Sequence, residues 1–179
     1  DLRDSLEIWW KGNESTGSTI SDYSGNSRTG TGSNTSWPAG LWGPGSNFGF
    51  NGNNTNVTRA SFSPPSNLTV AFWFKPFRAW NAGTAEYLLD IGTSDLLQIV
   101  KYSDNTWYAG YYAGGNDRRA IVAANSTTWA IDTWQHIILT IANGGSTLLY
   151  HNNSLIGTGS LSTSGSVGSN TLYVGSTRS

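Results

Sequence analysis

Cysteine and methionine are both absent from this 179-residue chain. Without cysteine there is no disulfide, no thiolate metal ligand and no thiol nucleophile. Charge is also scarce. Asp, Glu, Lys and Arg make up 12% of the residues, about half of the ~25% of an ordinary globular domain. The net charge is −1 and the ten cations are scattered. Nucleic acid, which needs concentrated positive charge, is therefore not an expected partner. No apolar run approaches the ~18 residues of a membrane-spanning helix, so membrane insertion is not expected. Lys, Glu and Leu are too few for helical bundles or coiled coils.

What is present is equally one-sided. Gly, Ser, Thr and Asn account for 83 of the 179 residues, set against 9 Trp, 8 Tyr and 6 Phe. A polar chain without aromatics would read as disordered; this one has the rings to build a core. Thr, Asn, Gly and aromatics suit strands joined by turns, and the length suits one domain spanning 1–179. Asp1 begins without a Met, a basic region or an apolar stretch, so the chain reads as a processed or excised piece. Asn-x-Ser/Thr triplets stand at Asn13, Asn34, Asn53, Asn56, Asn67, Asn125 and Asn152. They are glycosylation candidates if the protein is exported, although a chain this rich in Asn, Ser and Thr generates such triplets by chance.

Short strand patterns follow one another along the chain. Candidates are Leu6–Trp10, 47–50, 54–62, 67–76, 86–92, 96–102, 107–114, 118–124, 135–142 and 146–152, with two more in 154–160 and 171–176. Pro64 and Pro65 stop one strand, since neither can donate to a ladder. Residues 103–105 (SDN) and 143–145 (NGG) read as hairpin turns. Residues 67–76 are the most strand-like, with aromatics on both faces, so this strand is expected to be central and covered on both sides. Residues 11–47 are too long for a structureless loop and need an organiser. There is no internal repeat and no linker. About eleven strands with frequent turns predict a two-sheet antiparallel β-sandwich of jelly-roll type.

Five segments resemble, in order, the laminin G-like and pentraxin-like branch of the concanavalin A-like jelly rolls. They are DYSGNSRTGTG (22–32), FGFNGNNTNVT (48–58), LTVAFWFKP (68–76), DTWQHIILTIANGGSTLLYHNNSLIGTGS (132–160) and LYVGS (172–176). The resemblance implies a non-catalytic extracellular recognition module, at a cell or virion surface, that binds carbohydrate. The alternative is a structural or assembly module that binds neighbouring protein subunits. The family usually continues beyond the LYVGS strand with a closing strand. A chain without it is either truncated or completed by a strand donated from a neighbour.

Catalysis finds little support. Glu86 and Asp90 share strand parity, but at about 3.3 Å per residue they lie about 13 Å apart, beyond the roughly 5–9.5 Å that glycoside hydrolysis uses. No nucleophile elbow occurs, and His136 and His151 read as packed structural residues. Two groups of candidate binding residues remain. In the 11–47 segment, Asp22 and Asn26 offer oxygen ligands for calcium, which similar domains often bind in this loop; an Asx-turn at Asp22 is the simpler alternative. Around 107–118, Trp107, Tyr108, Tyr111, Tyr112, Asn116, Asp117 and Arg118, with Trp80 and Asn81, combine rings for sugar stacking with polar groups for hydroxyls. Alternation puts Trp107 and Tyr111 on one face, and Tyr108 and Tyr112 on the other, and one set is expected to be core.

Overall fold

Alternating short apolar runs and turn-forming residues produce thirteen strands among the described residues of the computed structural model of the chain. It describes residues 5–43, 47–51, 54–92, 96–113, 116–117, 119–123, 127–160 and 167–175. In chain order the strands are β1 (Thr19–Ile20), β2 (Gly30–Ser33), β3 (Asn56–Phe62), β4 (Leu68–Phe74), β5 (Glu86–Ile91), β6 (Leu96–Lys101) and β7 (Trp107–Ala113). They continue with β8 (Asn116–Asp117), β9 (Ala120–Val122), β10 (Gln135–Ile141), β11 (Ser146–His151), β12 (Ser154–Ser160) and β13 (Asn170–Val174). All pairings are antiparallel. The large sheet runs β1-β2-β3-β13-β5-β6-β7-β8, with β9 also on β7; the small sheet runs β12-β11-β10-β4. No helix among the described residues is long and apolar enough to cross a membrane.

The two sheets close on one core. Period-two alternation sends Leu97, Ile99, Trp107, Ala109 and Tyr111 inward from the large sheet and Ile137, Leu139, Ile141 and Leu149 from the small one. Deep in this core Lys101 is fully buried. Its Nζ donates to the Trp80 carbonyl at 2.9 Å, and the ammonium lies 5.7 Å from the Trp80 and Trp129 ring centroids. β12 of the small sheet packs against β9 of the large one. A Cβ added at Gly159 would meet the Arg119 carbonyl oxygen at 2.5 Å, so only glycine fits.

Several expectations from the sequence change here. β4 is not central: among the described residues it pairs only with β10 and ends the small sheet. Its inner residues Leu68, Val70, Phe72 and Phe74 pack on the core, while Trp73 points outward, 44% exposed and stacked on His136 at 4.6 Å. An aromatic face therefore did not signal a second cover. The 6–10 and 47–50 segments make single bridges, Trp10↔Asp22 and Ser36↔Gly49, rather than strands. β13, which carries the LYVGS segment, pairs on both sides, with β3 and β5.

The long polar segment is organised by hydrogen bonds and rings. Trp37 packs edge-on against Phe48 at 5.6 Å, and Phe48 lies beside Phe50. The Trp10 indole donates to the Arg28 carbonyl at 3.0 Å, and Arg28 pairs with Glu7. The Asp22 carboxylate accepts four bonds: Oδ1 from the amides of Trp9 (2.9 Å) and Ser24 (3.0 Å), Oδ2 from Ser24 Oγ (2.7 Å) and the Arg28 amide (2.8 Å).

Candidate functional site

The outer face of β7 and the turns beside it form an open cleft of about 410 Å³, lined by Tyr102, Ser103, Asp104, Tyr108, Asp117 and Arg119. Local rules build it. The hairpin after β6 is tied by the Asn105 amide to the Tyr102 carbonyl (2.9 Å), with Asn105 at φ +65°. Asp104 Oδ1 accepts the Thr106 amide at 2.9 Å, an Asx-turn. That hairpin sets Tyr102 perpendicular to Tyr108, with centroids 5.1 Å apart. β8 then brings Asp117 opposite Tyr112.

Arg119 is the centre of the cleft. Its Nε and Nη2 donate to the two carboxylate oxygens of Asp117 at 2.8 and 2.6 Å, and Nη1 donates to Gln98 Oε1 at 3.1 Å. Gln98 passes the chain on to Asp90, its Nε2 donating to Oδ1 at 3.1 Å. The guanidinium lies 4.3 Å from the Tyr108 centroid and 5.4 Å from that of Tyr112. Burial alone pushes the Asp117 carboxyl up; the hydrogen bonds and charge of Arg119 outweigh it and hold the acid below its ordinary value. The same pairing outweighs burial at Arg119 and raises its already high pKa. A planar ion pair held over tyrosine rings offers fixed donors and acceptors beside apolar ring surface, the combination a sugar needs.

The residues singled out in the sequence are dispersed by the fold. Tyr108 and Asp117 line the cleft, and Tyr112 borders it through Arg119. Trp107 and Tyr111 are fully buried and Trp80 is 5% exposed, which removes all three from a stacking surface. Burial pushes the Tyr111 phenol up to about 12, and its hydroxyl donates to the Pro65 carbonyl at 2.9 Å. Asn81 is exposed in the loop beside Trp80, away from the cleft lining. Asn116 contributes backbone pairing to β7, its side chain lying outside the described residues, as does Arg118 altogether. Arg119 was missed, although Ala120 and Val122 on the inner face place the odd positions of this segment outward.

Asp22 and Asn26 are brought together, but they do not fit a calcium cage. The four donors above occupy the Asp22 carboxylate, and the Ser24 bond is an Asx-turn. Asn26 turns its Nδ2 to the carbonyls of Leu6 and Glu7 at 2.6 and 3.3 Å. Calcium needs six or so oxygens facing one point, whereas here N–H groups face the carboxylate. No cluster of three His, Cys, Asp or Glu occurs among the described residues. Of the glycosylation candidates, Asn13 and Asn34 are exposed, and the Asn34 amide donates to the Asn54 carbonyl at 3.2 Å. Asn67 and Asn152 use their side-chain oxygens to accept the amides of Asn143 and His136, both at 2.8 Å. Asn56 sits in β3, and Asn53 and Asn125 lie outside the described residues.

The carboxylates expected to share a face do not. A bulge between Tyr87 and Leu89 reverses parity, so Glu86 pairs with Lys101 and Asp90 with Gln98. Glu86 lies on the Lys101 side of the sheet, bonded by Thr84 and paired with Arg78, while Asp90 lies on the cleft side.

With this geometry in hand, comparisons place the chain. Residues 49–179 match the laminin G-type family described as the concanavalin A-like lectin/glucanases superfamily. The chain belongs to this family. Among solved structures, the binding domain of Paraclostridial Mosquitocidal Protein 1 superposes with a TM-score of 0.73 at 20% identity, over 96% of this chain and 44% of that one. The botulinum neurotoxin serotype D binding domain gives 0.72 at 14% identity, over 97% and 44%. A botulinum neurotoxin DC binding domain in complex with SialylT gives 0.67 at 14% identity, over 97% and 44%. The laminin G-type domain thus spans less than half the length of these relatives, and at such identities the likeness is one of fold. Comparison with curated proteins finds no significant match.

Proposed function

We propose that this laminin G-type domain is a non-catalytic carbohydrate-binding module of an extracellular or surface protein, and that the saccharide seats in the Tyr102–Arg119 cleft. The observation that carries this reading is the Asp117–Arg119 pair held over Tyr108 and Tyr112 in an open groove. Membership of a lectin and glucanase superfamily supports it. Glu86 and Asp90 on opposite faces support recognition over hydrolysis.

The test is a glycan array followed by titration of the hits against wild type, Tyr108→Ala and Arg119→Ala. For uncharged glycans either substitution is expected to weaken binding at least about tenfold, a loss of about 1.4 kcal/mol. Failure of every uncharged glycan to bind at millimolar concentration would sink the proposal, as would uncharged-glycan binding unchanged in both variants.

A second reading, assembly with another copy of the chain, is favoured by one observation. β4, β10, β11 and β12 contain no Asp, Glu, Lys or Arg, and their outer face exposes Trp73 at 44% and Leu155 at 51%. An uncharged apolar face does not repel its own copy. A concentration-dependent dimer abolished by Trp73→Lys supports this reading; a monomer by sedimentation up to high concentration ends it.

A further inference from the structure

A second aromatic cluster lies in the N-terminal segment. The Trp9 and Tyr23 rings are 6.2 Å apart at 65°, and the two residues are 41% and 39% exposed. Large rings left this open, side by side, call for an explanation. Neither is loosely held. The Tyr23 amide donates to the Trp9 carbonyl at 3.0 Å, Trp10 bridges Asp22, and Asp22 Oδ1 takes the Trp9 amide at 2.9 Å. The Asp22 hub thus clamps the two stretches of chain that carry the rings.

A cation lies over both rings. Lys11 Nζ sits 4.5 Å from the Trp9 centroid and 3.8 Å from that of Tyr23. Two rings restrain a side chain that would otherwise sweep through many rotamers. Lys11 is exposed, and none of the ion pairs among the described residues includes it. Among the described residues of this segment the acids have partners of their own: Asp22 accepts its four internal bonds, Glu14 Oε1 takes the Ser21 amide at 2.7 Å, and Glu7 pairs with Arg28. The cluster thus offers a positioned ammonium beside ring surface.

We infer that Trp9, Lys11 and Tyr23 form a second saccharide site, selective for sugars that carry a carboxylate. The ammonium takes the carboxylate, and the exposed ring surface that it leaves uncovered takes the apolar C–H groups of the sugar. The cleft has the opposite bias. Its lining contains Asp104 and Asp117 against one guanidinium that Asp117 already pairs, so a carboxylate is disfavoured there. The two sites sort saccharides by charge.

The test uses N-acetylneuraminic acid, glucuronic acid, glucose and acetate as probes. Binding is followed by saturation-transfer NMR and by calorimetry at low and high salt. The two acidic sugars are expected to bind at this site, with glucose and acetate at least about tenfold weaker. Added salt is expected to weaken the acidic sugars. Lys11→Gln is expected to lose about tenfold or more, and Lys11→Arg to keep most of the affinity. Trp9→Ala tests the ring. Lys11→Gln breaks no backbone hydrogen bond, so it decides the matter if Trp9→Ala loosens the segment. Tyr108→Ala is expected to leave acidic-sugar binding unchanged, which separates this site from the cleft. Wild-type affinity in Lys11→Gln, equal binding of glucose and glucuronic acid, or loss of acidic-sugar binding in Tyr108→Ala would each overturn the inference.

Discussion

Replacing Asp22 by alanine removes the acceptor of four hydrogen bonds at once: the amides of Trp9, Ser24 and Arg28, and Ser24 Oγ. Each bond contributes on the order of 1 kcal/mol net where water can replace the lost partner, and more where it cannot. Ser24 is buried, but Trp9 is substantially exposed, so the lower figure suits this site and the total is about 3–4 kcal/mol. At about 2–4 °C per kcal/mol for a domain of this size, the melting midpoint should fall by about 6–16 °C. Asp22→Asn keeps the Oδ1 acceptor but turns an NH₂ toward the Arg28 amide, so an intermediate loss is expected. The effect has a defined pH dependence. Burial pushes the Asp22 carboxyl up, and its hydrogen bonds pull it further down, below the ordinary 3.8. A depressed folded pKa contributes stability that is present above the unfolded value and is lost as pH falls through the folded one. The gap between wild type and Asp22→Ala should therefore close in strong acid.

The assay is urea unfolding of wild type and both variants, with hydrogen exchange read at the Trp9, Ser24 and Arg28 amides to separate local opening from global loss. Excess EDTA should leave the wild-type midpoint unchanged. An Asp22→Ala variant within about 0.5 kcal/mol of wild type, the range of a neutral surface change, would refute the hub. EDTA lowering the midpoint as far as the substitution would refute it differently, by showing that a cation organises the loop.

Two further outcomes follow from packing and burial. Gly159→Ala drives a Cβ to 2.5 Å from the Arg119 carbonyl oxygen and 2.8 Å from the Ala120 amide nitrogen. Backbone atoms cannot rotate aside, so a loss of about 1–3 kcal/mol is expected, with weaker glycan binding because Arg119 shifts. Gly144→Ala, at φ +71° with nothing within 4 Å, should cost only about 1 kcal/mol; equal losses in urea melts would contradict the clash. His151 is buried, with Nδ1 3.0 Å from Thr127 Oγ1 and Nε2 2.8 Å from Gln135 Oε1, and burial holds its imidazole below the usual 6.5. The unfolded chain takes the proton first, so stability should decline as pH falls from about 6.5 through the folded value. His151→Gln should flatten that slope, and an unchanged slope would assign it to another group.

How far the sequence could be read depended on the range of the interaction concerned. The β10–β11 hairpin was legible because alternation and an Asn-Gly-Gly turn are local. So was the division of β7 into two faces, with Trp107 and Tyr111 opposite Tyr108 and Tyr112. Which face is covered was not legible, because it depends on what the rest of the chain lays across it. The same limit misplaced β4, whose outward Trp73 looked like core. The 86–90 segment failed for another reason: one extra residue in a strand reverses parity and leaves no mark in composition.

By itself, then, the sequence determined the all-β class, the turns and the alternation of each strand, since these follow from backbone preference and period-two geometry. The absence of cysteine likewise settled that no disulfide or thiolate chemistry is available. Only the tertiary structure decided that Asp22 is a hydrogen-bonded hub, that β13 is paired on both sides, and that Arg119 centres the cleft. Each of these depends on groups far apart in the chain: Asp22 on Trp9 thirteen residues away, Arg119 on Gln98 twenty-one away. Such contacts form only when folding has closed the intervening loops, and no local pattern encodes them.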